Sequence, residues 1–284
     1  MEIKFTDVGF FYNHNSSIEK KVLTNINTEI KNGKITSIIG RSGSGKTTLV
    51  EMIDVLKKPT YGSVKIDDFI ITNKTKKIKN INKLRSDIGF IFQFPEEQFF
   101  NMTVYDEISF AMKSLKNKSK NIEKKVIDSL KMVGLSKDYL YKNPFSLSSG
   151  EKRKIAIASI ISYNPKTLIF DEPTIGLDSV SKKNFIQLLR TLKTKYKKTI
   201  ILISHDIELV HLLSDHVILI NNGKVILEGD KYTVFKDDIS LKKCGILAPN
   251  AIRFSKIVYG KTGKNIGYRD DINDIIKDVY RNAW

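Results

Sequence analysis

The chain has 284 residues, 48 Lys and Arg against 31 Asp and Glu, a formal net charge of +17 at pH 7, and a single cysteine. That length suggests one or two domains able to bury a core without covalent staples, and the lone Cys244 excludes an internal disulfide or a cysteine metal cluster, so a reducing interior is the natural setting. The charge admits nucleic acid, anionic lipid or an acidic partner, but the lysines are scattered among Ile and Asn rather than gathered into an aromatic-interleaved patch, which reads as A/T-rich coding rather than a dedicated nucleic-acid surface.

The opening stretch MEIKFTDVGF has no basic region followed by an apolar run and a small-residue cleavage site, so no secretory signal is expected. Short apolar runs then alternate with longer helical patterns, which predicts an α/β fold with a largely parallel sheet. KITSIIG (34–40) is predicted as a buried strand entering a glycine-rich turn, with KTTLVEMIDVL (46–56) as the helix behind it. KPTYGSVKIDDFII (58–71) reads as a turn and then a small β hairpin. From about Gln93 to Asn164 the apolar positions follow a helical period, in TVYDEISFAMKSL, NIEKKVIDSLKMVGL and SGEKRKIAIASIIS, as expected of a helical insert. The frame resumes with TLIFDEPT, KTIILISHD and DHVILINNGKVILEG, apolar runs that end in polar groups, and Asn222-Gly223 in the last is a hairpin signal. The most apolar windows, IAIASIISY and HVILINN, fall short of the ~20 residues a membrane-spanning helix needs, so the chain is expected to be soluble. After about Lys231 the sequence is basic, mixed and weakly periodic, and 231–284 is read as an appended tail of uncertain fold.

Four motifs carry chemistry. GRSGSGKT, Gly40 to Thr47, fits the G-x-x-x-x-G-K-[ST] phosphate loop: Gly40, Gly43 and Gly45 let backbone N–H groups around Ser42 turn toward phosphates, Lys46 reaches the β and γ oxygens, and the Thr47 hydroxyl is placed for Mg²⁺. LIFDEPT puts Asp171 and Glu172 at the C-terminal end of a strand, one carboxylate for a phosphate-bound metal and one free to polarise water. His205 in LISHD follows another apolar strand, where it can hydrogen-bond a γ-phosphate and the attacking water; alone it would more often be structural. In LSSGEKRKIAIA (147–158), Ser148 and Gly150 could present an anion site at a helix start, although a plain Ser N-cap explains those residues equally well by themselves.

Taken in order, the phosphate loop, the glutamine before the helical insert, LSSGE, LIFDE, GLD and SHD resemble the nucleotide-binding subunit of ATP-binding cassette (ABC) proteins over about residues 1–230. The resemblance implies an α/β P-loop NTPase core with a mainly parallel sheet, an antiparallel β subdomain, a helical subdomain inserted at about 93–164, and a C-terminal extension, 231–284, that helps dimerisation. It implies a head-to-tail dimer holding two ATP molecules, each between the phosphate loop of one subunit and the signature motif of the other. By it Tyr12 stacks on adenine, Lys46, Thr47 and Thr48 hold phosphates and Mg²⁺, Gln93 senses the γ-phosphate beside the metal, Asp171 supports the metal, Glu172 polarises water and His205 is the switch. Ser148 and Gly150 of the signature, and Asp178 of the GLD loop, would meet the partner across the interface.

QFPEEQFFNMTVYDE (93–107) is too acidic and aromatic for a core strand and too structured for a linker. It is similar to the segment of energy-coupling factor (ECF) importers, particularly their second type of ATPase subunit, that faces the membrane partner. That similarity implies a peripheral subunit on the cytoplasmic side of the cell membrane, powering uptake of vitamins or metal ions. Its partners would be a second ECF ATPase subunit (a heterodimer, or a homodimer), a transmembrane coupling protein and a substrate-capture membrane protein, with no nucleic acid expected. On the residues themselves, Glu96 and Glu97 offer acidic contacts beside a groove edged by Phe94, Phe99 and Phe100, suited to a short basic amphipathic helix; the plainer alternative makes the phenylalanines core of the insert.

The chain departs from the family's Leu-Ser-Gly-Gly-Gln signature: Ser149 replaces a glycine and Glu151 the glutamine. A side chain at 149 crowds the approach to phosphate, and a carboxylate at 151 adds unfavourable charge, so the ATP site completed by this signature is expected to be the weaker of two. A G-protein reading fails, because NKTK (73–76) and NKSK (117–120) end in lysine rather than in the aspartate of a base-recognition motif. A soluble cassette ATPase acting on ribosomes or nucleic acid is the stronger rival, argued for by charge and against by the single cassette. A conventional ABC importer or exporter differs only in its partner.

Overall fold

The computed structural model describes residues 1–78, 80–114, 121–264, 266–267, 269–270 and 272–283; the NKSK run and parts of the predicted insert and of the 261–271 stretch lie outside the described residues. β1 (Ile3–Tyr12) and β2 (Lys20–Ile30) bury alternate stretches of one face and pair antiparallel. After β3 (Ile35–Ile39) and α1 (Lys46–Glu51), β4 (Tyr61–Ile66) and β5 (Phe69–Ile71) join them in an antiparallel sheet of order β2-β1-β4-β5. α1 is shorter than the predicted 46–56. Val55 turns left-handed at φ 57°, and the amides of Leu56 and Lys57 close on the Glu51 carbonyl at 2.9 and 3.2 Å. Met52, Ile53 and Val55 stay buried beyond the stop, so apolar spacing continues where the helix does not.

The second sheet contains β3, β6 (Ile88–Ile91), β7 (Thr167–Asp171), β8 (Thr199–Ile203), β9 (His216–Asn221) and β10 (Lys224–Gly229), in the order β10-β9-β3-β8-β7-β6. β3, β6, β7 and β8 are buried along their length, as unbroken apolar runs require of parallel strands covered on both faces. β8 lies between β3 and β7, with Asp171 opposite Ile203, so the groups that follow these strands leave from one edge. This α/β core, with its separate antiparallel sheet, is the predicted fold class.

Asn222 (φ 47°) and Gly223 (φ 71°) make the predicted turn between β9 and β10. The turn also braces the phosphate loop: the Gly223 amide donates to the Ser44 carbonyl at 3.1 Å, and its own carbonyl accepts from Thr24 at 2.9 Å. A Cβ at 223 would meet the Val22 carbonyl oxygen at 2.2 Å in a backbone conformation L side chains avoid. Gly223→Ala is therefore expected to destabilise the fold by about 1–3 kcal/mol, read as a lower urea midpoint at unchanged slope.

α2 (Ile81–Asp87) precedes β6. Between β6 and β7 run α3 (Val104–Ser114), α4 (Ile122–Met132) and α5 (Ser149–Ser162), whose Ile108, Leu130, Ile155 and Ile161 share one core with Phe170 of β7. Thr103 starts α3 as its sequence suggests, accepting from the Asp106 amide at 3.1 Å, and buried Glu107 pins the preceding loop through the Phe100 and Asn101 amides. α6 (Ser179–Thr194) and α7 (Ile207–Leu213) flank β8 in sequence. The weakly periodic C-terminal stretch is helical: α8 (Lys231–Lys236), α9 (Asp238–Lys243), α10 (Asn250–Thr262) and α11 (Ile272–Ala283). Val234, Phe235, Leu241, Cys244 and Ile252 form one buried cluster with Ile39, Val217 and Leu219 of the sheet, whereas Ala251, Ile266 and Ile275 make a small separate one.

Candidate functional site

β3 ends in the glycine-rich turn, and a cleft of about 300 Å³ opens between that turn, the ends of β7 and β8, and the edge of the antiparallel sheet. Tyr12, Ser42, Gly43, Gly45, Lys46, Thr47, Thr48, Gln93, Asp171, Glu172 and His205 all line it. Gly40 lines an adjoining cleft with Arg41, and its carbonyl reaches the first through Lys46.

The loop is built for close approach. Gly43 (φ 75°) and Gly45 (φ 103°) lie in the left-handed region, and a Cβ at 45 would meet Leu23 at 2.6 Å. Lys46 is buried and donates from Nζ to the Gly40 and Arg41 carbonyls, each at 2.9 Å, with His205 Nε2 3.5 Å away. Burial lowers its pKa, and the Glu172 and Asp171 charges oppose that.

Thr47 donates from Oγ1 to Asp171 Oδ2 at 2.9 Å, bringing a hydroxyl from the loop onto a carboxylate from β7. These are hard oxygen donors of the kind Mg²⁺ takes beside nucleotide oxygens, with the Gln93 amide in the same cleft, so the residues fit that ion. Burial raises the Asp171 pKa, and the Thr47 hydrogen bond pulls it back.

Glu172 adopts φ 49°, rare for a residue of this size, its amide bonded to the Ile203 carbonyl at 2.9 Å. Its Oε2 accepts from the His205 amide at 3.2 Å. Buried Oε1 has no hydrogen-bond partner and lies 3.3 Å from His205 Nε2. An ionisable oxygen buried without a donor, in strained backbone, at the edge where a phosphate would sit, is poised to accept a proton or orient water. Burial raises its pKa, the His205 amide opposing; the His205 pKa is lowered by burial and then by Lys46.

Ser148, Gly150 and Asp178 do not line this cleft. Ser148 caps α5 in a capping box, its amide and hydroxyl donating to Glu151 Oε2 at 2.9 and 2.6 Å, and Asp178 caps α6, accepting from the Ser181 amide at 2.8 Å. Nothing lies within 4 Å of a Cβ placed on Gly150. Ser148 and Tyr139 hold the half-buried Glu151 carboxyl down at about 2, so it is ionised at any working pH.

The acidic reading of QFPEEQFF needs correction. Glu96 is not a free contact: its side chain is 14% exposed and paired with Arg153 at 3.0 Å. Phe99 packs against the core of the insert, as the plainer alternative has it, while Phe100 is 58% exposed and edge-on to Phe110 at 4.7 Å. Sequence reasoning also missed Lys20 and Val22 of β2, which line the cleft from a strand outside every motif, a placement with no local signal. It missed the tie from Arg41 Nε to the Cys244 carbonyl (3.0 Å) for the same reason.

With this geometry in view, a family model described as ABC transporter matches residues 23–175. The chain is 37% identical over 261 residues to the energy-coupling factor transporter ATP-binding protein EcfA2 of Staphylococcus epidermidis, covering 92% of this chain and 91% of that one. It is 41% identical over 249 residues to EcfA2 of Spiroplasma kunkelii, covering 88% and 82%. Among solved structures, cbiO1 of Clostridium perfringens, part of the ABC transporter complex cbiONQ, is similar with a TM-score of 0.72 at 34% identity over 85% of this chain and 93% of that one. A dimeric ATP-binding cassette in a post-hydrolysis state with ADP and Pi gives 0.71 at 31% identity over 80% and 98%.

Proposed function

We propose a transport role from one premise: the chain belongs to the ABC transporter family, among the ATP-binding proteins of energy-coupling factor transporters, and hydrolyses ATP in the service of transport. In that role it is the second-type ATPase of an importer for vitamins or metal ions, working under a transmembrane coupling protein and a substrate-capture membrane protein. The observation that supports it is the convergence of the phosphate loop, Gln93, Asp171, Glu172 and His205 on one cleft. Lys46 and the loop amides bind the phosphates, Tyr12 meets the base, Thr47, Gln93 and Asp171 hold Mg²⁺, and Glu172 takes the proton of the attacking water while His205 fixes its carboxylate. Mg²⁺, when bound, neutralises charge developing on the phosphate oxygens.

Ser148, Gly150 and Asp178 then serve the partner's nucleotide across a head-to-tail dimer with a second ATPase subunit. Their separation from the chain's own cleft fits that division, as does the dimeric state of the ADP-bound relative. Residues 1–230 act as the ATP-binding domain and 231–284 as an extension that supports dimerisation. Among the described residues no helix is long and apolar enough to cross a membrane, in keeping with a peripheral place on the cytoplasmic side. Exposed Phe100, Met102, Phe110 and Tyr141 offer the membrane partner an apolar face, with Glu97 rather than Glu96 as its acidic neighbour.

Glu151 makes the partner's site the weaker one in this reading. Glu151→Gln keeps a residue able to complete the capping box while removing the charge, so it is expected to raise steady-state ATP turnover of the assembled dimer severalfold; an unchanged rate would reject the Glu151 charge as the cause of unequal sites. The role itself is tested by purifying tagged Glu172→Gln protein with ATP from detergent-solubilised cells and identifying what comes with it. A second cassette ATPase and polytopic membrane proteins are expected. Ribosomal proteins or nucleic acid, without a membrane partner, would overturn it in favour of the reading that the +17 charge supports.

A further inference from the structure

Arg153 lies in the second turn of α5 and is 7% exposed, yet none of the chemistry above uses it. Its Nε and Nη2 donate to the two carboxylate oxygens of Glu96 at 3.3 and 3.0 Å, and its Nη1 donates to the Ile175 carbonyl at 2.5 Å. The guanidinium carbon also stands 5.7 Å from the centre of the Phe94 ring. These partners come from different segments. Phe94 (φ 52°) precedes, and Glu96 lies within, the short 3-10 turn Pro95–Gln98 directly behind Gln93, and Ile175 sits in the loop between Glu172 and Asp178.

We infer that Arg153 is a positioning residue that couples two segments leaving this chain's own site, the turn behind Gln93 and the loop that runs from Glu172 to Asp178, to α5, whose start would face the partner's nucleotide. This rests on the ATPase reading above. The physical ground is the fork of the guanidinium: its donors are rigidly coplanar, so a carboxylate held by two of them and a carbonyl held by a third cannot move independently. Releasing either leaves a buried charge or acceptor without its partner, which penalises intermediate positions and makes the three segments travel together. A cleft of about 340 Å³ separates α5 from α6 next to the guanidinium, lined by Gly150, Ile157, Leu177 and Phe185 among others.

The test uses the full-length chain as wild type, Arg153→Met, Glu96→Gln, the double variant and Arg153→Lys, each checked for a cooperative thermal transition. Fluorescent mant-ATP titration reads the phosphate loop, and hydrogen–deuterium exchange with and without Mg-ATP reads 40–48, 94–100 and 149–162 separately. All variants are expected to bind mant-ATP within about twofold of wild type and to keep the ATP-induced slowing at 40–48. Arg153→Met and Glu96→Gln should lose about fivefold or more of the slowing at 149–162. The double variant should be no worse than Arg153→Met, because the two groups act as one unit, and Arg153→Lys should recover part of the response. A merely structural ion pair would move the thermal midpoint and leave the α5 response intact. Full slowing at 149–162 in a folded variant overturns the inference, as does a wild type that binds ATP with no response there. If Arg153→Met does not fold, Glu96→Gln decides alone. A wild type that fails to bind mant-ATP overturns the ATPase reading itself, a different outcome from loss of coupling.

Discussion

Glu172→Gln is expected to reduce ATP turnover by about 10²–10⁴-fold, the range for removing a positioned general base, while leaving ATP binding in place. The amide keeps the shape of the carboxylate and the acceptor that holds the His205 amide, but it cannot take a proton from water. Loss of fold would not explain such a result. Burial raises the pKa of this carboxylate, so the folded state disfavours its charged form. That penalty is absent below the unfolded pKa and fully developed once pH exceeds the folded one. At neutral pH the neutral glutamine is relieved of it, and the variant's thermal midpoint should equal or exceed that of wild type.

The same shift sets a pH dependence for the native chain. In the proposed role the base must be ionised to work, so turnover under saturating ATP should fall as pH drops through a value above the ordinary glutamate range, with an acid limb that Glu172→Gln abolishes. An acid limb at the ordinary glutamate position would remove the burial argument. Comparing Glu172→Gln with the matching change in the partner subunit also tests the proposed dimer: if its sites are unequal as proposed, with this chain's loop and base intact and its signature weakening the other site, the loss should be greater here.

What could be read from sequence was read where physics is local. β3, β7 and β8 announced themselves because a parallel strand covered on both faces needs an unbroken apolar run, and Asn222-Gly223 because only a narrow set of residues tolerates that turn. The phosphate loop, Asp171, Glu172 and His205 could be gathered because each ends or follows one of those strands. Glu96 misled for the opposite reason. Its partner Arg153 lies 57 positions away, and nothing local distinguishes an acid bound for a buried guanidinium from one left for a docking helix. The C-terminal helices α8 and α9 escaped because each spans only six residues, too short to establish a helical period, and each is started by an aspartate cap rather than an amphipathic stripe. Phe99 and Phe100 are neighbours with opposite fates, one core and one surface, a distinction set by how the insert packs.

Lys46→Ala is expected to weaken ATP binding by at least about a hundredfold, taking about 1.5–3 kcal/mol for each of two charge-assisted hydrogen bonds to phosphate. The loss should exceed that of Thr47→Ala, and the two should differ in kind. Thr47 sits on Asp171 Oδ2, so its removal should flatten the Mg²⁺ dependence of binding while leaving affinity in EDTA nearly unchanged. In the proposed role Lys46 acts on the phosphates directly, so its removal should be felt with and without the metal. It has a second effect inside the protein. With the ammonium gone, the Gly40 and Arg41 carbonyls lose their shared donor, and Asp171 and Glu172 lose the nearest cation that opposes their burial. Both carboxyl pKa values should then rise further, weakening the metal site and the base together. Lys46→Arg should not rescue it, because a planar fork cannot reproduce a point charge held 2.9 Å from two carbonyls inside a closed loop. Titrations of mant-ATP in Mg²⁺ and in EDTA for the three variants decide the matter: equal losses for Lys46→Ala and Thr47→Ala in EDTA would remove the direct phosphate role assigned to the lysine.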